Sequence, residues 1–202
     1  MSEGIVAAMA EGWRDPRAAM ARQIAEGLSE RRALLHLFLA CGLGFVASLP
    51  GAVRKAQGLG DVPEPLAGTV SAHLFGYLFL APLLFYGLAA LLHLAARAFG
   101  GRGGFLGARA ALFWAALLGA PIALALALAG ALLEIAGGAG LLPWLDYLGY
   151  AGLAFWLWLL AASLAEAEGF GATRRVAAVL ALGFVGLAVG LGALTGAAPA
   201  IG

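Results

Sequence analysis

AALFWAALLGAPIALALALAGALL, residues 110–133, is a run without a single charged side chain, closed by Arg109 before it and Glu134 after it. An α-helix rises about 1.5 Å per residue, so a run of this length covers the roughly 30 Å of hydrocarbon in a bilayer. The run is continuously apolar rather than alternating, which is not the pattern of a barrel strand, and a lipid-exposed backbone must satisfy its own hydrogen bonds. A transmembrane helix follows. Working outward, charged residues cut out four more such runs: 33–53, 65–96, 147–165 and 176–202. In the second, PLAGTVSA reads as a loop leading into a helix, which leaves a span over 72–96. The fifth is expected over 176–195.

Composition agrees with that reading. Of the 202 residues 63% are hydrophobic and only 11% charged, and mean hydropathy is +0.95, whereas a soluble domain carries about 25% charged residues. Too little polar surface remains to cover a water-soluble core, so lipid must cover it. The expected fold is all-α: a polytopic membrane bundle of about five transmembrane helices over residues 33–202, preceded by an N-terminal amphipathic interfacial helix within residues 1–32. The net charge of +1 and the lack of a dense Lys/Arg cluster give no case for a nucleic-acid partner. Cys41 is the single cysteine, so no intrachain disulfide forms. Eleven Arg against one Lys, with abundant Ala and Gly, point to a high-GC bacterial coding sequence. The residues before Arg32 include Glu3, Glu11 and Asp15 and lack the basic start and early apolar core of a cleaved signal, so the first span is expected to be retained.

Orientation follows from the basic residues. Ten of them (Arg14, Arg17, Arg22, Arg31 and Arg32; Arg97, Arg102 and Arg109; Arg174 and Arg175) fall on one side of the spans, and two, Arg54 and Lys55, on the other. The positive-inside tendency then puts the N-terminus in the cytoplasm and the C-terminus in the periplasm of a bacterial inner membrane. Trp144 and Tyr147 sit at the outer interface and Trp13 near the inner one. In the polar segment before the first span Met20, Ile24 and Leu28 recur every four residues opposite Arg22, Glu26 and Glu30. That spacing predicts a helix on the cytoplasmic leaflet over residues 16–31, with Pro16 in its first turn and Asp15 as its cap, in preference to a solvated tail.

The spans hold no Asp, Glu, Lys or Arg, which argues against an ion-coupled pump. Glu134 with Asp146, and Glu166 with Glu168, are close carboxylate pairs of a kind that binds cations; the preferred reading is that they are solvated helix ends, and no metal site is assigned. His73 and His93 are too far apart on one span to share a haem, whereas His36 and His93 lie near the inner ends of neighbouring antiparallel spans. The preferred reading leaves all three interfacial or hydrogen-bonded between helices, so no cofactor is expected. FGGRGGFLGARAAL from Phe99 has neither a Walker lysine nor a dinucleotide pattern. Its glycines permit a tight inner loop that offers Arg102 and Arg109 to anionic phosphates. Pro82 and Pro121 each remove a backbone donor from a span, and Gly186 with Gly190 has the spacing of a close helix contact.

The WRDP of the N-terminal tail, the Phe-Gly-Gly-Arg-Gly loop before a span with central Pro121, and EAEGFGATRRV ahead of the fifth span together resemble the Yip-domain family across most of the chain. That resemblance implies a five-span protein with a cytoplasmic N-terminus and no catalytic residues. Its eukaryotic members associate with Rab-type GTPases in vesicle trafficking and membrane shaping. The Asp-Leu-Tyr-Gly-Pro motif and long cytoplasmic domain of that type are absent here, so a Rab partner is not implied. The expected function is a non-enzymatic membrane scaffold or accessory subunit. Arg22, Arg102, Arg109, Arg174 and Arg175 would meet lipid or a partner, Gly186, Gly190, Pro82 and Pro121 would serve helix packing, and the partners would be membrane lipids and other integral membrane proteins or a second copy. A small-solute channel or permease is the alternative, and a haem-bearing electron carrier the third.

Overall fold

A computed structural model describes residues 4–60 and 63–194. Eight α-helices are found there and no β-strand among the described residues: α1 (Ile5–Arg14), α2 (Pro16–Ala25), α3 (Glu30–Gln57), α4 (Pro65–Phe75), α5 (Ala81–Ala98), α6 (Phe105–Ile135), α7 (Leu142–Glu168) and α8 (Thr173–Leu194). A π-helical turn, Gly76–Leu80, joins α4 and α5 into one rod. The all-α membrane bundle expected from the sequence is the fold.

Four rods are long and apolar enough to cross a membrane: α3, α4–α5, α6 and α7, of 28, 34, 31 and 27 residues. At about 1.5 Å per residue they measure roughly 40–50 Å, so their ends project beyond the hydrocarbon into the head groups. α8 is a 22-residue helix that is apolar after Arg175. The last residue of the expected fifth span, 195, lies outside the described residues.

Two local expectations change. PLAGTVSA is helical rather than a loop: Pro65 takes the first helical position, where its missing N–H costs nothing. The rod then accommodates Pro82 by widening just before it, the Ala81 N–H reaching back five residues to the Gly76 carbonyl. The N-terminal segment is two helices and not one over 16–31. Asp15 breaks the chain after α1 and caps α2, its Oδ1 accepting from the Ala18 N–H at 3.0 Å. α2 stops at Ala25 because Gly27 adopts φ +90°, open to glycine, and Ser29 then caps α3 through the Arg32 N–H.

The core is concentrated in one half of the bundle. α6 is the central helix and packs most extensively against α3 and α7. Every residue from Gly107 to Leu118 except Arg109 is buried, and none of α6 is beyond Ala120. α7 is likewise buried only from Leu159 to Ala165 and at Glu168. The cause is a second layer: α2 packs against α7 and α1 touches α6, so the N-terminal helices clothe the half of the bundle that carries most of the arginines. Met20 from α2 joins Leu37, Phe113 and Leu164 in that core. The alanines of α6 and α7 let backbones approach closely, which matters where lipid gives apolar helices no reason to associate beyond packing and hydrogen bonds.

Candidate functional site

The arginine-rich end is where α3 and α6 begin, α5 and α7 finish, and the loop of residues 99–104 crosses between them. Its polar side chains form two ties. At the first, Glu168 closes α7 as a fully buried residue. Its Oε1 lies 2.7 Å from His93 Nδ1 on α5, and its Oε2 accepts the Gly103 N–H at 3.1 Å. The Glu168 backbone carbonyl accepts the Arg102 N–H at 2.8 Å. The loop therefore lies flat on the end of α7, and a Cβ on Gly103 would collide with the Ala167 carbonyl oxygen. At the second tie, Arg109 Nη1 donates to Glu30 Oε1 at 2.8 Å while the Tyr86 hydroxyl donates to the same oxygen at 2.5 Å. The Phe105 ring adjoins both ties, with the Arg109 guanidinium 4.7 Å from its centroid and the His93 ring 5.8 Å away.

The N-terminal helices are fastened by charge in the same way. Arg17 donates to Glu166 Oε2 through Nη2 at 2.8 Å and also to the Phe170 carbonyl. Arg22 pairs with Glu11, and Arg32 with Glu26. Thus every described carboxylate at this end is engaged within the chain: Glu11, Glu26, Glu30, Glu166 and Glu168 in ionic or hydrogen-bonded pairs, and Asp15 in its cap. Arg97, Arg102, Arg174 and Arg175 are exposed, and none has a carboxylate partner among the described residues.

One of those cations, Arg175, lines a groove. The groove lies between the end of α5 and the start of α8, measures about 560 Å³, and is walled by Leu92, Phe99, Leu164, Val176 and Leu180. The five arginines singled out in the sequence thus divide: Arg102, Arg174 and Arg175 face outward, whereas Arg22 and Arg109 hold the fold together. Gly186 and Gly190 are exposed on α8, with open space where a Cβ would stand, so they form no close contact among the described residues. Pro82 follows the π turn, and Pro121 lies inside α6. Pro121 deprives the Leu117 carbonyl of its helical donor, and in the same turn the Trp13 indole N–H donates to the Leu118 carbonyl at 2.9 Å.

Glu166 and Glu168 are not solvated helix ends; one is ion-paired and the other is buried. His93 is accordingly a helix-to-helix hydrogen-bonding residue with a carboxylate beside it. His36 instead packs on Trp114, ring centroids 4.9 Å apart, and no interaction joins the two histidines among the described residues. No group of three potential metal-binding side chains occurs among the described residues. Glu168, Tyr86, Arg17 and Trp13 are the structural polar residues that sequence reading missed. Their partners are 56 to 156 residues away along the chain, a separation that no local spacing reveals.

A bundle of apolar rods this long is a multi-pass membrane protein. The Yip1 domain matches residues 12–194, and the chain belongs to that family. No curated protein and no solved structure matches it.

Proposed function

We propose that this protein is a non-enzymatic membrane scaffold or accessory subunit of a bacterial inner membrane. Its arginine-rich end faces the cytoplasm, α8 is the fifth crossing, and the exposed arginines gather anionic lipid. Other integral membrane proteins or a second copy would bind through the same margin and through the small-residue face of α8 at Gly186 and Gly190. The observation that carries the reading is the division of the charges: the carboxylates of that end are engaged within the chain, whereas Arg97, Arg102, Arg174 and Arg175 stand exposed, Arg175 beside an apolar groove. Each arginine near an anionic leaflet contributes about 1 kcal/mol, so four together bias lipid composition strongly even after screening. Protein extracted in mild detergent with mixed lipids should retain phosphatidylglycerol in preference to phosphatidylcholine by native mass spectrometry. Replacing the four arginines with Gln should abolish that preference, and retention unchanged in the variant would refute the reading.

A small-solute permease is the competing reading, and one feature favours it. A cavity of about 300 Å³ lies at the level of Pro121, with Tyr77 and Trp156 among its lining residues. A second space of about 690 Å³ opens at the opposite end beside Arg54, Glu134 and Asp146. The two share Leu126, Gly149 and Leu153 in their walls. Transport of a defined solute into vesicles, abolished by Tyr77→Ala and indifferent to the four arginines, would establish that alternative.

A further inference from the structure

A third space is unlike the other two. It lies under the N-terminal helices, between α1, α2 and the first turns of α3, and measures about 490 Å³. Its lining includes two aromatic rings of the core, His36 and Trp114, which are only 6% and 1% exposed. Neither His36 Nδ1 nor Trp114 Nε1 has a hydrogen-bond partner among the described residues. A buried polar atom left unanswered costs about 1–3 kcal/mol, and two of them on side chains that line one cleft point to a polar group of the ligand there. The Trp114 N–H can only donate, so the group facing it is an acceptor.

The remaining lining restricts the ligand further. Two ion pairs, Glu11 with Arg22 and Arg32 with Glu26, contribute all four of their side chains to the cleft, which makes it neutral but bipolar. A simple anion would meet two carboxylates and a simple cation two guanidinium groups; a ligand carrying both charges close together meets each with its opposite. The cleft also has apolar lining in Ile5, Ala8 and Leu35. Leu35 is 53% exposed, and Phe38 and Leu39, three and four residues on and therefore on the same helix face, are 48% and 39% exposed. An apolar track thus leaves the cleft along α3 in the direction of the membrane.

We propose that this cleft binds the head group of a zwitterionic phospholipid of the phosphoethanolamine type. The phosphate accepts from the Trp114 N–H and from Arg32, the ammonium donates to Glu26 and Glu11, and the acyl chains lie along Leu35, Phe38 and Leu39. The site is separate from the exposed Arg97, Arg102, Arg174 and Arg175 and goes beyond the lipid gathering proposed for them. It also gives the N-terminal helices a role, since a lipid seated there touches α1, α2, α3 and α6 together.

The test is native mass spectrometry on the full chain in mild detergent, titrated separately with phosphatidylethanolamine, phosphatidylcholine and phosphatidylglycerol. Trp114→Phe removes the N–H and keeps the ring, and Arg32→Gln removes one charge at the rim. Each should weaken phosphatidylethanolamine retention by about fivefold or more, the equivalent of one hydrogen bond to a charged group, while sparing phosphatidylglycerol. Phosphatidylcholine, whose trimethylammonium has no N–H to donate, should bind less well than phosphatidylethanolamine to the unmodified protein. The quadruple Arg→Gln variant at residues 97, 102, 174 and 175 should show the reverse selectivity loss, so failure of one lipid site is distinguishable from failure of the other. If Trp114→Phe does not yield monodisperse protein, Arg32→Gln and Glu26→Gln carry the test alone. Phosphatidylethanolamine retention unchanged in the rim variants, or no better than that of phosphatidylcholine in the unmodified protein, would overturn the proposal.

Discussion

A carboxylate taken wholly out of water is costly unless its oxygens are answered, and both oxygens of Glu168 are answered: one by His93, the other by the Gly103 N–H. Glu168→Ala should therefore destabilise the protein by about 1–3 kcal/mol, because it leaves two buried groups without a partner; thermal unfolding in detergent reads this as a lowered Tm. Glu168→Gln keeps the shape and should cost less. Gly103→Ala should be harmful for a different reason, since its Cβ would meet the Ala167 carbonyl, a backbone atom that cannot swing aside. A loss of about 1–3 kcal/mol is expected there, against little change for the neighbouring Gly104→Ala, whose Cβ meets nothing within 4 Å. None of this was legible in EAEGFG or FGGRGG read singly. The five glycines of residues 100–107 announced a tight loop, but which glycine lies against another helix is decided by α7, which follows it by more than thirty residues.

Among the elements, α1 illustrates how a helix can be hidden from sequence reading. It is short, it precedes the recognised amphipathic stretch, and its role depends on a hydrogen bond across 105 residues, from Trp13 to Leu118. The logic is clear only with α6 beside it. Trp13 donates to the Leu118 carbonyl, next to the Leu117 carbonyl that Pro121 leaves without its helical donor. Trp13→Phe keeps the ring contact and removes the donor, so it should lower stability by about 0.5–1.5 kcal/mol, with Pro121→Ala in the same background recovering part of the loss. A double-mutant cycle in thermal unfolding checks the coupling, and strictly additive effects would dissociate Trp13 from the bend. The α2–α3 boundary was more accessible: Gly27 and Ser29 are a stop and a start signal in the chain itself, outweighed in the sequence reading by the four-residue repeat of Met20, Ile24 and Leu28. The π turn before Pro82 carries no comparable signal, because the proline demands some relief but not a particular kind.

At the scale of the whole molecule, what sequence reveals and what it conceals divide along physical lines. Spans are legible because the bilayer imposes length and apolarity on every crossing, so Arg32, Arg54, Arg109 and Glu134 mark the uncharged runs without reference to any partner, although α3 and α6 continue past them at each end. Pairing is not legible, because the choice of Arg109 for Glu30 and of Arg17 for Glu166 belongs to the packed state. Sequence treated Arg22, Arg102, Arg109, Arg174 and Arg175 as one group; the fold separates those that tie helices together from those that remain at the margin with Arg97. The distribution of the core follows the same rule, since the N-terminal helices bury the arginine-rich half of α6 and α7 and leave the other half to lipid. The arginine-rich end is proposed as the cytoplasmic end of a five-span chain, and site-directed cysteine labelling in intact cells decides between the two orientations. In a Cys41→Ser background, single cysteines at Gln57 and Gly140 should react with a membrane-impermeant maleimide. Those at Ala18, Arg102 and Gly171 should react only after the cells are opened. Labelling in the reverse pattern, or Gly171 on the same side as Gly140, would contradict the orientation and the lipid-gathering role that depends on it.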